Sequence, residues 1–168
     1  MRRYLCPVLI GALMLFIFCM SAQPGDESTV TSSRFCLLAA RLLFSDFESY
    51  TAITQESITE GLTFAVRKAA HFSEYALLGA LWYIWLRHKP KNLLLAFLAA
   101  TGYAVTDEIH QLFVPGREGK IWDVLIDSSG GICGILAAFV LLCVLYCLRH
   151  REIAPRAVWK HDEKEKMP

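Results

Sequence analysis

"LLLAFLAATGYAVTDEIHQLFVPGR", residues 93–117, begins as a greasy helix and ends in acids, a histidine, an amide and a turn. The apolar stretch 93–106 has 14 residues, whereas a hydrocarbon core roughly 30 Å thick needs about 20 at ~1.5 Å each. Two readings follow. Either the helix stops at Thr106 and leaves Asp107 and Glu108 in solvent, or it carries both acids across to about Val114, where Pro115-Gly116 breaks it. Which one holds depends on the rest of the chain.

The 168 residues amount to one domain without a visible internal repeat. Hydrophobic residues make up 55% and the mean hydropathy is +0.38, and this content is gathered into four blocks near spanning length: 4–20, 69–86, 93–114 and 124–148. The fold expected is all-α: a four-transmembrane-helix bundle over residues 1–148, followed by a charged, disordered cytoplasmic tail at 149–168. The first block follows Arg2-Arg3 and is read as an uncleaved span. A signal peptide cut after Ser21-Ala22 would have bulky Met20 near the cleavage site. Between blocks one and two lies a long loop expected to carry one or two amphipathic helices. In one, Arg34, Arg41, Ser45 and Glu48 share a face, as befits a helix lying on a membrane surface or over the bundle. In the other, Ile58, Leu62, Ala65 and Ala69 recur at helical spacing and lead into block two, with Thr54 or Ser57 as cap and Gly61 as a weak point.

Charge distribution orients the blocks. Of 17 Lys and Arg, 11 fall at the N-terminus, in the 87–91 loop and in the tail. The alternate side holds Arg34, Arg41, Arg67, Lys68, Arg117 and Lys120, mostly in a loop that also carries six acids. Lys/Arg bias therefore places both termini in the cytoplasm and loops 22–68 and 115–123 outside. No basic stripe interleaved with aromatics is present, which argues against nucleic acid. The six cysteines lack metal or disulfide spacing. Cys6, Cys19, Cys133, Cys143 and Cys147 read as small apolar fillers, and Cys36 stands in the long loop.

With orientation assigned, depth follows from helical rise. His71 enters at the outer boundary with Glu74 a turn deeper, Asp107 arrives about 21 Å across from the inside, and Asp123 and Asp127 begin the last span from outside. Three remote segments thus deliver ionisable groups to one level. His71 and Glu74 are i,i+3 neighbours; Gln111 lies i+4 from Asp107 and i+3 from Glu108; Asp123 and Asp127 are i,i+4 if the last helix begins by Ile121. An isolated charge costs ~2.5–3.5 kcal/mol at a span's centre, so these acids require partners or a wet cavity. Lys68, Arg67 and Arg117 are the cations at that level. The orientation of His110 leaves its membership open. Asp123 and Asp127 also suit a first helical turn, and Gly130-x-x-x-Gly134 suits close helix packing.

The segments "RKAAHFSEYALLGAL" (67–81) and "TDEIHQLFVPGREGKIWDVLIDSSGGICG" (106–134), together with "FCMSAQPG" (18–25), resemble the VanZ-like family of small bacterial membrane proteins. Lys68-x-x-His71-Phe72-x-Glu74-Tyr75, Thr106-Asp107-Glu108-x-x-Gln111, Arg117, Asp123, Asp127 and Gly130 carry the likeness. It implies a bacterial envelope setting and a link to lipoglycopeptide (teicoplanin) susceptibility, without supplying a reaction.

Two classes of function stay open at this stage. One is an enzyme acting at the outer leaflet on a lipid-linked envelope precursor. Its catalytic candidates are His71, Glu74, Asp107, Glu108, Asp123 and Asp127, its binding candidates Lys68, Gln111 and Arg117, and a divalent metal could sit on His71, Glu74, Asp107 and Glu108. The other is a non-catalytic binding protein using the same layer toward membrane lipids, an envelope precursor or a lipoglycopeptide. Excess acid favours the first, and the absence of a recognisable nucleophile favours the second.

Overall fold

A computed structural model describes residues 2–24 and 36–151. These form α1 (Arg2–Ser21), α2 (36–43), a 3₁₀ turn (Phe47–Ser49), α3 (Ala52–Leu86), α4 (Asn92–Gln111) and α5 (Ile121–Arg151), with no strand among the described residues. Arg34 and most of the 149–168 tail lie outside them.

Local chemistry sets the ends of the helices. Thr51, rather than Thr54 or Ser57, caps α3. Its hydroxyl accepts from the Thr54 N–H at 3.4 Å, and the Gln55 side chain donates back to the Phe47 and Tyr50 carbonyls at 2.9 and 3.2 Å. The helix then runs unbroken for 35 residues, about 52 Å, so the expected amphipathic segment and block two are one rod. At the other end Arg87 donates to the Ile84 carbonyl, and Asn92 donates to that of Arg87. Lys91 takes a left-handed φ of 57°, which turns the chain into α4.

Helix α4 closes at Gln111, short of the expected Val114. Phe113 and Val114 tighten into i→i−3 bonds on His110 and Gln111. Pro115 follows, with Gly116 at a φ of 71°. The loop then doubles back so closely that a Cβ on Gly119 would lie 2.6 Å from the Glu108 carbonyl oxygen. The α2 helix ends earlier than the amphipathic pattern suggested. Ser45 and Glu48 lie beyond its last residue, although Glu48 still reaches Arg41 at 2.8 Å. Cys36 is buried on it rather than standing in open loop.

The strongest packing is between α3 and α5, and it is made backbone to backbone. A methyl on Gly134 would collide with the Ala76 carbonyl, one on Gly130 with that of Phe72, and one on Gly79 with that of Gly131. Small residues therefore let the two rods touch along two turns. Ile10 and Ile17 of α1 pack with Tyr75, Leu78 and Ala104, while Tyr83, Ala96, Ile135 and Ala138 form a second cluster further along the bundle.

Outside this core the surface is apolar. Leu94, Leu98, Ile109, Leu136, Leu141 and Val144 are among many large side chains left substantially exposed, while Asp107, Glu108 and Asp127 are enclosed. That inverts the pattern of a water-soluble domain. Two helices, α1 and α5, are long and apolar enough to cross a membrane. Helices α3 and α4 have the length but carry the ionisable residues.

Substituting Gly134→Ala should lower stability in detergent by ~1–3 kcal/mol through overpacking. Gly61→Ala, where nothing lies within 4 Å, should raise it by ~0.5–1 kcal/mol. Thermal unfolding of both purified variants checks the pair, and an unchanged midpoint for Gly134→Ala would contradict the backbone contact.

Candidate functional site

Four helices bring polar groups to one end of the bundle. The α3–α5 contact sets His71 on α3 beside Asp127 on α5, and α4 adds Asp107 from the third side. One donor atom from each lies within 4.8 Å of the other two. Asp127 is 1% exposed, Asp107 2%, Gln111 5% and Glu108 6%, so helix α4 does carry its acids inward instead of ending in solvent. Asp127 lies in the second turn of α5, beyond the first-turn role its position suggested. Asp123 keeps that role and pairs with Lys68 at 2.5 Å.

Each acid is held differently. The Asp107 Oδ2 accepts from the Ser21 hydroxyl at 2.9 Å and from Gln111 Nε2 at 3.2 Å. The Glu108 Oε1 accepts from the same Gln111 amide at 3.2 Å, and its Oε2 from the Lys120 backbone N–H at 2.8 Å. Gln111 is thus a bridge between two carboxylates, as its spacing implied. Glu74 lies 4.0 Å from His71 Nδ1, beyond hydrogen-bond reach. It does not line the cavity described below and stands outside the close trio.

Five carboxylates meet few opposing charges here. Lys68 is engaged by Asp123. Arg117 was expected to return toward the acids. Instead its guanidinium donates to the Met20 and Gln23 carbonyls at 3.1 and 3.0 Å, closing the C-terminal end of α1. Burial, then Arg67, pulls the Arg117 pKa below its usual value, although a guanidinium keeps its charge at neutral pH. Among the described residues, Asp107 Oδ1, Asp127 Oδ2, His71 Nδ1 and the Tyr75 hydroxyl have no hydrogen-bond partner in the protein. A buried polar atom left so costs ~1–3 kcal/mol.

Of these groups, His71 and Asp127 border a cavity of about 870 Å³. Its wall includes Arg67, Lys68, His71, Glu108, Arg117 and Asp127, with Glu60 and Thr63 from the α3 extension and Trp122 near its edge. The room is that of a drug-sized ligand or larger. His110 takes no part in it, stacking on Phe18 of α1 at 4.3 Å.

Sequence reasoning missed Ser21 and undervalued Tyr75. Ser21 was legible by the same depth argument, since the outer end of block one falls at the level of Asp107. Tyr75 is fully buried beside Tyr103, whose hydroxyl donates to the Met14 carbonyl. Only the packed arrangement reveals that its own hydroxyl is left over.

No curated protein and no solved structure matches the chain. A family model described as VanZ/LLP1 does match, over residues 7–144. That range takes in all four long helices' contributions to the site, from Ser21 to Asp127. By this match, which extends over most of its length, the chain belongs to the VanZ/LLP1 family.

Proposed function

We propose that this chain is a four-span protein of the bacterial cytoplasmic membrane, with both termini in the cytoplasm and the cavity opening outward. In this reading the cavity takes the phosphate-bearing head of a lipid-linked envelope component and acts on it. The observation that carries the proposal is the composition of one wall. Arg67, Lys68 and Arg117 stand beside His71, Glu108 and Asp127. Cations with flexible or forked donors suit phosphate oxygens, while a histidine and carboxylates within the same cavity suit general acid and base roles. The apolar exterior of the helices supplies a surface along which a polyisoprenoid tail can lie. A change in teicoplanin susceptibility then follows from masking or altering the component that the lipoglycopeptide targets.

Four crossings are favoured by the arrangement of charge. Helix α4 turns Asp107 and Glu108 inward, Glu74 of α3 is partly enclosed, and Leu77, Trp85, Leu94 and Leu98 are left substantially exposed, an arrangement suited to a lipid surround. The 87–91 turn carries three basic residues and no acid, the signature of a cytoplasmic loop.

Topology is open to a direct test. In a variant lacking the native cysteines, Lys120→Cys should react with a membrane-impermeant maleimide in intact cells. Lys89→Cys should react only after permeabilisation. The reverse pattern would put the cavity on the cytoplasmic side.

Function is tested with purified protein in nanodiscs and a polyisoprenyl diphosphate. Binding should weaken tenfold or more in Arg67→Gln, since a charge-assisted hydrogen bond contributes ~1.5–3 kcal/mol. Phosphate release should be abolished in Glu108→Gln with helicity retained. Binding without release would favour the non-catalytic, protective form of the proposal, and the absence of both would remove it.

A further inference from the structure

We infer that His71, Asp107 and Asp127 form a binding site for one divalent first-row metal ion at the floor of the cavity. This site rests on the functional reading above for its use, but its existence can be judged without it.

Three observations converge. Each residue offers a donor atom, and these atoms are mutually within 4.8 Å. With metal–ligand bonds of ~2.0–2.2 Å, neighbouring ligands of a tetrahedral ion lie about 3.3–3.6 Å apart, so side-chain rotations of about an ångström would close the set. Secondly, Asp107 and Asp127 are at least nine-tenths buried, and each keeps a carboxylate oxygen without a protein partner; His71 keeps Nδ1 likewise. Donors enclosed and unsatisfied on three separate helices have little structural purpose, because a packed apolar residue would serve stability better. Thirdly, the acids outnumber the cations available to them. Lys68 is engaged by Asp123 and Arg117 bonds to the end of α1, whereas a 2+ ion would offset Asp107 and Asp127 together.

The surroundings match what metal sites require. Asp107 is oriented by Ser21 and Gln111, and Gln111 in turn by Glu108, the kind of outer support that aims a ligand. His71 and Asp127 border the cavity while Asp107 does not. The ion would thus be held by two residues of the cavity wall and by Asp107, which lies outside that wall. One nitrogen and two carboxylate donors with open positions suit Zn²⁺ or Mn²⁺ better than a thiolate-selective ion. Glu74 and Glu108, candidates by spacing, are not members of the trio. Glu108 is occupied by Lys120 and Gln111, and Glu74 faces His71 from 4.0 Å.

The test uses the full chain, purified in detergent through a tag without histidines and stripped with chelator. Zn²⁺ and Mn²⁺ are then added separately and bound metal is measured by elemental analysis and calorimetry. One ion per chain is expected, with a raised unfolding temperature. Asp127→Asn and His71→Gln should each weaken binding at least a hundredfold, and Ser21→Ala about tenfold, while Glu48→Gln in the exposed 3₁₀ turn (Phe47–Ser49) leaves it unchanged. If Asp127→Asn does not fold, His71→Gln and Ser21→Ala carry the same comparison. Binding well below one ion per chain, or equal affinity in wild type and His71→Gln, would overturn the site. The two proposals fail separately. Metal bound without any polyisoprenyl diphosphate binding rejects the functional reading alone, and diphosphate binding or release by metal-free protein in the absence of any bindable ion rejects the metal site alone.

Discussion

The close approach of α3 and α5 is the constraint on which the rest depends. Where Gly79, Gly130, Gly131 and Gly134 stand, the two backbones meet without intervening side chains. A Cβ on Gly79, Gly130 or Gly134 would push the rods apart. Because His71 is one residue from Phe72, whose carbonyl rests on Gly130, and Asp127 is less than a turn from Gly130, the glycines set the separation of His71 and Asp127. Packing specificity and site geometry are therefore one property of the interface, and no loop is needed to position these two groups.

Helix α1 adds a second fixed point. Its Ile10 and Ile17 fill the core against Tyr75 and Leu78, its Ser21 hydroxyl orients Asp107, and its last carbonyls receive Arg117. Arg117 thereby ties the loop after α4 to the end of α1 and helps shape the cavity rim. What looked like a cation waiting for an acid is satisfied by backbone oxygen, so the acids are left with less neutralisation than the sequence suggests.

Much of this was legible in the sequence because the signals are long and periodic. Apolar blocks of helical length and simple helical rise put His71, Glu74, Asp107, Asp123 and Asp127 at one level, and three of these, His71, Asp107 and Asp127, come together in the fold. The i+3 and i+4 spacing foretold the Gln111 bridge. Partner choice was not legible. Nothing in the spacing tells that Glu74 stays outside the trio while Asp127 enters it, because that depends on the rotation of α3 against α5 about the glycine contact. Helix ends were blurred for a different reason. Thr51 wins the cap over Thr54 through the Phe47–Tyr50 turn behind it, and α4 yields at Gln111 because the returning loop claims the space beyond. Both are tertiary effects that local propensity does not encode.

The bond between Ser21 and Asp107 joins residues 86 apart in the chain, and those from Arg117 reach back 94 and 97. Contacts of such long sequence separation form only after extensive loop closure, and they are late and slow elements of folding. No contiguous fragment shorter than α1 through α5 can hold the trio together with its supports. The polar centre is thus a checkpoint of completed assembly. Until the last helix docks, Asp127 is missing from the trio, and a stalled intermediate differs from the finished protein by an incomplete polar centre.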